Sequence, residues 1–105
     1  MTDKKENYIC EVADLIKQKA GASNLHIKGI DTLFNIYAVL AMSKGCGVTD
    51  EDVHDAWAAW ASQYNPIDES IVPFDDLKKE IQKLDSKYTS AIRKIACSLP
   101  EHSEK

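Results

Sequence analysis

Hydrophobic residues recur every three or four positions along most of the chain, which is the spacing of helices that bury one face. The pattern predicts about five helices, namely residues 6–20, 31–44 and 49–64, a short helix ending near 84, and a last helix ending near 98. Only four glycines and three prolines interrupt the chain, which favours helices over a sheet with many turns. We therefore predict an all-α fold.

The organisation expected from this pattern is one compact domain spanning residues 1–105, since the chain has the length of a single domain. Both ends are polar and charged, so we expect frayed segments at residues 1–5 and 100–105. The sequence contains no repeat and no low-complexity tract.

Residues suited to helix ends delimit the first three predicted helices. Gly21 follows the first helix, where a left-handed conformation favours glycine. Asp31 can cap the second helix, and Thr49 with Asp52 resembles a capping box at the start of the third. The third helix is expected to end before Pro66.

The second half of the chain predicts a loop followed by two further helices. The apolar run 71–74 contains Pro73, so we expect an extended loop and not a central strand. A carboxylate at position 75 or 76 can cap the short fourth helix, and Asp85 or Ser86 can cap the last one. The last helix has an apolar stripe that we expect to be buried, formed by Tyr88, Ala91, Ile92, Ile95 and Leu99.

The predicted helix 31–44 differs from the others because apolar residues surround most of it. Such a helix either lies at the centre of the core or shares a face with a second subunit. One of its stripes holds Leu33, Tyr37 and Leu40.

The charge balance argues against binding of long nucleic acid. The net charge is -4, and Arg93 is the single arginine among thirteen basic residues. A protein that grips a DNA or RNA backbone needs a basic face. A small anionic ligand remains compatible with an acidic protein, because one pocket can be locally positive.

The chain has no apolar segment long enough to span a membrane and no apolar leader near Met1. Its three cysteines, Cys10, Cys46 and Cys97, are odd in number and widely spaced, unlike a zinc motif or a disulfide framework. We therefore expect a cytoplasmic protein with free thiols, with Cys10 and Cys97 on apolar helix faces.

The helix 49–64 carries the most informative side chains. One narrow stripe holds Val53, Trp57, Trp60 and Tyr64, and His54 and Ala61 lie at its margin. In one interpretation both tryptophans are core residues and His54 is a half-exposed rim residue. In the other, Trp57 offers a flat π face and His54 a hydrogen-bonding edge to a planar ligand, with Ala61 leaving room beside them.

No set of catalytic residues is visible in the sequence. Cys46 lies in a glycine-flanked turn where exposure is easy, but no base is indicated beside it. The grouped carboxylates lie where helix caps are needed, and there is no glycine-rich phosphate loop. We predict no enzyme activity, no metal site and no cofactor. Arg93 is either solvated at the surface or a clamp for a phosphate.

Residues 53–57, 68–77 and 84–92 together resemble the ryanodine-receptor repeat domain over about residues 50–97. That family has a His-x-x-Trp pair on a helix, here His54 and Trp57. A Leu-Val-Pro-Tyr-x-x-Leu segment follows, represented here by residues 71–77, and then a last helix that begins with Asp-Arg. Here Asp85 matches that aspartate, and Ser86 replaces the arginine. The whole chain is also similar to small proteins of bacteria and their phages that share the string at 52–60.

The resemblance implies a helical module without catalysis. In the receptors, paired repeats face each other across a cleft that accepts adenine-type ligands, and prokaryotic relatives are suspected of sensing nucleotides in defence and counter-defence. It therefore implies a homodimer or higher homo-oligomer. We predict a non-enzymatic module that binds a small nucleotide-like ligand, as a sensor or sequestering protein in phage–bacteria conflict. The candidate ligand-binding residues are His54, Trp57, Ala61, Arg93 and Tyr37.

The alternative prediction is a protein–protein interaction domain, or a structural homo-oligomer domain, with no small ligand. Residues 56–61 would then form an interface patch with two tryptophans, a residue type enriched in interface hot spots.

Overall fold

A computed structural model describes residues 7–24 and 27–99. Both segments predicted to fray, 1–5 and 100–105, lie outside the described residues, as do His26 and His102. The described part contains helices α1 (Tyr8–Lys19), α2 (Ile30–Lys44), α3 (Asp50–Ala61) and α4 (Lys79–Ser98), with short 3-10 helices at Gly45–Gly47 and Phe74–Asp76. It contains no strand, so the all-α prediction is confirmed, with four α-helices instead of five. None of these helices has the length and apolar character needed to cross a bilayer.

The ends of α1 and α3 follow local sequence. The Asn7 side chain accepts a hydrogen bond from the Cys10 amide at 2.9 Å, and Gly21 adopts φ 71° after α1, as predicted. At α3, Thr49 Oγ1 accepts from the Asp52 amide at 3.1 Å, while the Asp52 carboxylate accepts from the Thr49 amide at 3.0 Å. The predicted capping box is therefore confirmed. α3 ends at Ala61, three residues before the predicted boundary.

The start of α2 differs from the prediction. Gly29 is the N-cap residue, with φ 80°, and no side chain caps the helix. Asp31 instead forms an ion pair with Lys17 of α1 at 3.2 Å, so the predicted cap at Asp31 was wrong. A Cβ atom at Gly29 would lie 2.6 Å from the hydroxyl of Tyr64, so position 29 favours glycine for both backbone and steric reasons.

Substitution Gly29→Ala is expected to destabilise the protein more than Gly21→Ala does. Both glycines have positive φ, which costs alanine roughly 1–2 kcal/mol. At Gly21 a Cβ meets nothing within 4 Å, whereas at Gly29 it displaces the Tyr64 ring. Urea unfolding of the two variants measures the difference. Equal losses would contradict a close contact between residue 29 and Tyr64.

α4 is one continuous helix, whereas the sequence predicts two helices with a break near Asp85. The break is absent because the side chains expected to cap a new helix have partners on α3. The Asp85 carboxyl faces His54, and the Ser86 hydroxyl donates to the Asp50 carboxylate at 2.9 Å, so neither side chain caps the backbone of α4. Asp50 and Ser86 thereby join the start of α3 to the middle of α4.

The core is organised around α2, which packs against α1, α3 and α4. Phe34 and Tyr37 of α2 and Tyr88 of α4 form an aromatic cluster with ring centroids 5.3–6.2 Å apart. Ala91, Ile92 and Ile95 are buried, and Tyr88 and Leu99 pack against them partly buried, as the stripe on the last helix predicted. The central position of α2 in the core therefore explains why apolar residues surround most of this helix.

Two of the three cysteines form a disulfide. Cys46, in the turn after α2, is bonded to Cys97 in the last turn of α4, with Cα atoms 5.3 Å apart. Both residues are exposed, and Cys10 is a partly buried free thiol. The prediction of free thiols was therefore wrong for Cys46 and Cys97, and Cys97 does not lie on the apolar face of its helix. The sequence separation of 51 residues concealed this proximity.

Candidate functional site

A cavity of about 320 Å³ lies between α2, α3 and α4. Among the described lining residues, His54, Ser70 and Asp85 have polar side chains, Tyr37 and Tyr88 carry phenol hydroxyls, and the others are aliphatic or aromatic. Ile27 and Leu84 are 52% and 61% exposed, whereas Tyr37 and His54 are each 2% exposed. The cavity therefore has an apolar mouth and a deeply buried inner end.

His54 lies at this inner end. Its Nε2 donates a hydrogen bond to the Val72 carbonyl at 2.7 Å, and its Nδ1 lies 3.4 Å from Oδ2 of Asp85. Its ring is stacked on Trp57 with 5.7 Å between centroids, and the Phe74 ring lies 6.2 Å away. The interpretation of His54 as a half-exposed rim residue was therefore wrong. Both ring nitrogens face protein atoms, so His54 has little capacity to bind the edge of a ligand.

The Val72 carbonyl defines where one proton of His54 lies. A carbonyl oxygen can only accept, so Nε2 carries a proton toward Val72. Burial raises the pKa of Asp85, the charge on His54 opposes this in part, and Asp50 raises that pKa further. Asp85 thus retains a proton more readily than an exposed aspartate does.

The carboxyl of Asp85 has unused hydrogen-bonding capacity. Its Oδ2 is buried, and no described residue forms a hydrogen bond with it, because the 3.4 Å approach of His54 is an ion-pair contact without hydrogen-bond geometry. A buried acceptor left without a donor costs roughly 1–3 kcal/mol. Oδ2 has almost no accessible surface, so its neighbours shield it from a molecule in the cavity.

The aromatic residues of α3 have different roles. Trp57 is partly buried and lines the cavity. Trp60 also lines it, but its indole N–H donates to the Gly29 carbonyl at 2.9 Å, which holds α3 against the start of α2. Tyr64 lies beyond the end of α3 with its ring 5.1 Å from Trp60 and is 48% exposed. Tyr64 therefore lies outside the core, although the sequence places it in one stripe with Val53, Trp57 and Trp60.

The fold brings three of the five predicted site residues into one cavity. Tyr37, His54 and Trp57 line it, and burial raises the pKa of Tyr37, so its hydroxyl stays protonated. Ala61 is buried without lining the cavity. Arg93 is exposed and lines a separate surface depression with Ser86, so it does not line the cavity.

Sequence reasoning missed Asp85 as a member of the site. The sequence predicts a helix cap at Asp85, although this residue stands four residues after Ile81, three before Tyr88 and seven before Ile92. These positions share one face of a helix, so a carboxylate at 85 interrupts an otherwise apolar stripe. A lone acid at such a position is a signal for a buried polar partner, which here is His54.

A family model described as "Domain of unknown function (DUF7701)" matches residues 7–97, and the chain belongs to this family. The matched span contains the cavity-lining residues and both cysteines of the disulfide. No curated protein and no solved structure matches the chain.

Proposed function

We propose that this family member is a non-enzymatic module whose cavity binds a small nucleotide-like ligand. The observation that carries the proposal is the presence, in the lining of one apolar cavity, of both the Trp57 indole and the Asp85 carboxyl. A nucleobase presents a flat π face for stacking and polar groups on its edge, and these two features suit it. The resemblance to the ryanodine-receptor repeat, whose His-x-x-Trp pair corresponds to His54 and Trp57, supports the same ligand class.

The size of the cavity supports a ligand of modest dimensions. Ligand pockets span roughly 300–1,000 Å³, and the volume of about 320 Å³ lies at the lower end of that range. A base with its sugar fits such a volume better than a complete dinucleotide does. Any phosphate would then lie at the mouth or outside it, away from the Trp57 and Asp85 side chains.

The biological role within this proposal is that of a sensor or sequestering protein in phage–bacteria conflict, acting in the cytoplasm. Disulfides are uncommon in reducing compartments, so this location requires that Cys46 and Cys97 be largely reduced in the cell. Thiol alkylation at the moment of lysis, followed by mass spectrometry, measures that fraction. A fully oxidised pair would argue against a cytoplasmic location.

Calorimetric titration with adenine nucleotides and cyclic dinucleotides tests the proposal directly. At least one member of the panel is expected to bind. Substitution Trp57→Ala is expected to weaken that binding at least tenfold, because base–aromatic stacking contributes roughly 1–3 kcal/mol. Arg93→Ala serves as the matched control and should leave the affinity within about twofold, since Arg93 lies outside the cavity.

Two outcomes would contradict the proposal. One is the absence of binding by every compound at millimolar concentration. The other is a Trp57→Ala variant that is less stable but binds as the parent protein does. Independent support would come from ultraviolet absorption with a nucleotide spectrum in the purified protein.

A second candidate function is the binding of a protein partner. The observation that favours it is the exposure of Ile27 and Leu84 at the cavity mouth, which could receive an apolar side chain of another protein. A pull-down from host lysate that recovers a stoichiometric partner, lost in a Leu84→Glu variant, would favour this function. Retention of the partner by Leu84→Glu would exclude the mouth as its docking site.

A homodimer or higher homo-oligomer is also part of the proposal. A two-fold axis along α3 would bring two copies of Trp57 close to each other. The cavity walls described above come from one chain, so self-association would modify the mouth and not create the cavity. Light scattering after gel filtration measures the oligomeric state, and a monomer at all concentrations tested would contradict this part.

A further inference from the structure

The solvent-exposed face of α4 carries a concentration of positive charge. Residues 78–94 hold six of the thirteen basic residues of the chain, although the chain as a whole has a net charge of -4. We call these six residues the basic row, and all of them are exposed: Lys78, Lys79, Lys83, Lys87, Arg93 and Lys94. None of the six forms an ion pair with another described residue. The basic row is therefore open to a negatively charged partner.

The basic row is unfavourable for the stability of α4 itself. Lys79, Lys83 and Lys87 follow one another at intervals of four residues, which places them about 6 Å apart along one side of the helix. Like charges at this spacing destabilise a helix. Lys78 is the N-cap residue without a capping side-chain hydrogen bond, and Lys79 follows it at the positive end of the helix dipole. Residues that oppose local helix stability at several exposed positions indicate a role outside the helix.

The basic row and the cavity lie on opposite sides of α4. Ile81, Asp85 and Tyr88 line the cavity, whereas Lys83 and Lys87 project from the exposed side of the same turns. A partner on the basic row would therefore contact the outer surface of the helix that forms one wall of the cavity.

The surroundings of the basic row favour a narrow acidic partner over a long polyanion. The Ser86 hydroxyl bonds to Asp50, so the acidic start of α3 borders the row. A polyanion wider than one helix, such as a nucleic-acid duplex, would also meet these carboxylates. The net charge of -4 repels a long polyanion as well, whereas a short acidic segment on the row lies within a Debye length of about 8 Å of its cations.

An anionic membrane is also a less suitable partner for this surface. Helices that bind in the membrane interface insert apolar side chains beneath the lipid headgroups. The basic row consists of lysines and one arginine and offers no such side chain.

We propose that the basic row of α4 is a docking surface for a partner protein that contributes an acidic helix or an acidic extended segment. Carboxylates of the partner lie along Lys79, Lys83 and Lys87 and relieve the repulsion among them. This surface is separate from the cavity mouth at Ile27 and Leu84, and the inference does not depend on the identity of any ligand in the cavity.

Binding of fluorescein-labelled poly-glutamate to the full chain, followed by fluorescence anisotropy, tests the inference. The parent protein is expected to bind this probe with an affinity that falls as salt is added. Lys83→Glu should weaken binding at least about fivefold, because it removes an attraction at the centre of the row and adds a repulsion. Lys83→Arg keeps the charge and should bind within about twofold of the parent protein.

Lys28→Glu is the matched control. Lys28 is exposed in the turn before α2, outside the basic row, and its replacement changes the net charge by the same amount as Lys83→Glu does. Binding of poly-glutamate by Lys28→Glu should stay within about twofold of the parent protein. An equal loss in both variants would overturn the inference, since net charge alone would then explain the binding.

The stability of Lys83→Glu provides a second measurement. The new carboxylate stands four residues from both Lys79 and Lys87, so it should raise the midpoint of urea unfolding slightly. Weaker binding by a variant that is no less stable excludes loss of folding as the cause. A lower midpoint would contradict the repulsion on which the inference rests.

Two further results would overturn the inference. One is the absence of poly-glutamate binding at low ionic strength. The other is tighter binding of single-stranded DNA or of phosphatidylserine vesicles than of poly-glutamate, because the row would then serve a nucleic acid or a membrane. Failure of every nucleotide to bind in the cavity would contradict the proposed function and leave this inference unaffected.

Discussion

Replacement of His54 with leucine is expected to lower the free energy of unfolding by roughly 1–3 kcal/mol for each buried polar group that loses its partner. His54 is 2% exposed, and its loss leaves the Asp85 carboxyl without its polar neighbour. The Val72 carbonyl also loses its donor at 2.7 Å, and Trp57 loses a stacked ring. Urea unfolding followed by tryptophan fluorescence measures the change.

A double-mutant cycle identifies the source of that loss. The double variant His54→Leu with Asp85→Leu is expected to be more stable than the sum of the single changes predicts, since neither polar group is then left without its partner. The ion pair between Lys17 and Asp31 is the surface control. The Asp31 side chain is 89% exposed, so breaking that pair should cost less than about 1 kcal/mol. Additive losses at His54 and Asp85 would show that the two side chains do not act as a pair.

Reduction of the disulfide between Cys46 and Cys97 is expected to lower the free energy of unfolding by roughly 4 kcal/mol, as chain-entropy arguments give for a loop of this length. The bond closes a loop across 51 positions that includes α3, most of α4 and the loop between them. Opening that loop enlarges the unfolded ensemble and leaves native contacts in place. Unfolding curves with and without a reductant measure the effect.

The variant Cys46→Ser with Cys97→Ser provides the control for that measurement. It should unfold like the reduced parent protein and should not respond to the reductant. Cys10→Ser should keep the response, because Cys10 is a free thiol on α1. A titration that finds three reactive thiols in the unreduced, unfolded parent protein would contradict the disulfide.

The elements that could be predicted from sequence are those stabilised by neighbours along the chain. The capping box of Thr49 and Asp52 needs groups only three residues apart, and the left-handed Gly21 needs only a helix end before it. The buried stripe on α4 follows from a spacing of three and four residues. The helix break predicted near Asp85 is absent, because a side chain that could cap a helix can instead contact a neighbouring helix.

The candidate site likewise contains some residues that helical spacing places together and others that only tertiary packing brings in. His54 and Trp57 are three positions apart, so the helical spacing alone placed their rings together. Asp85 joins them from 31 positions further along the chain, and Tyr37 joins from α2. Helical spacing carries no information about which face of α4 meets which face of α3. For this reason the sequence could not show that Arg93, eight residues after Asp85, lies outside the cavity.

By itself, the sequence determined the all-α class, most helix ends and the pairing of His54 with Trp57, because these depend on interactions within one or two turns of a helix. Only the tertiary structure decided that His54 is buried, that Asp85 faces it and that Cys46 meets Cys97. Those contacts form when α3 and α4 pack together with α2 and bury apolar surface. The hydrophobic effect that drives this packing is non-directional. The polar pair at the inner end of the cavity is a consequence of that packing.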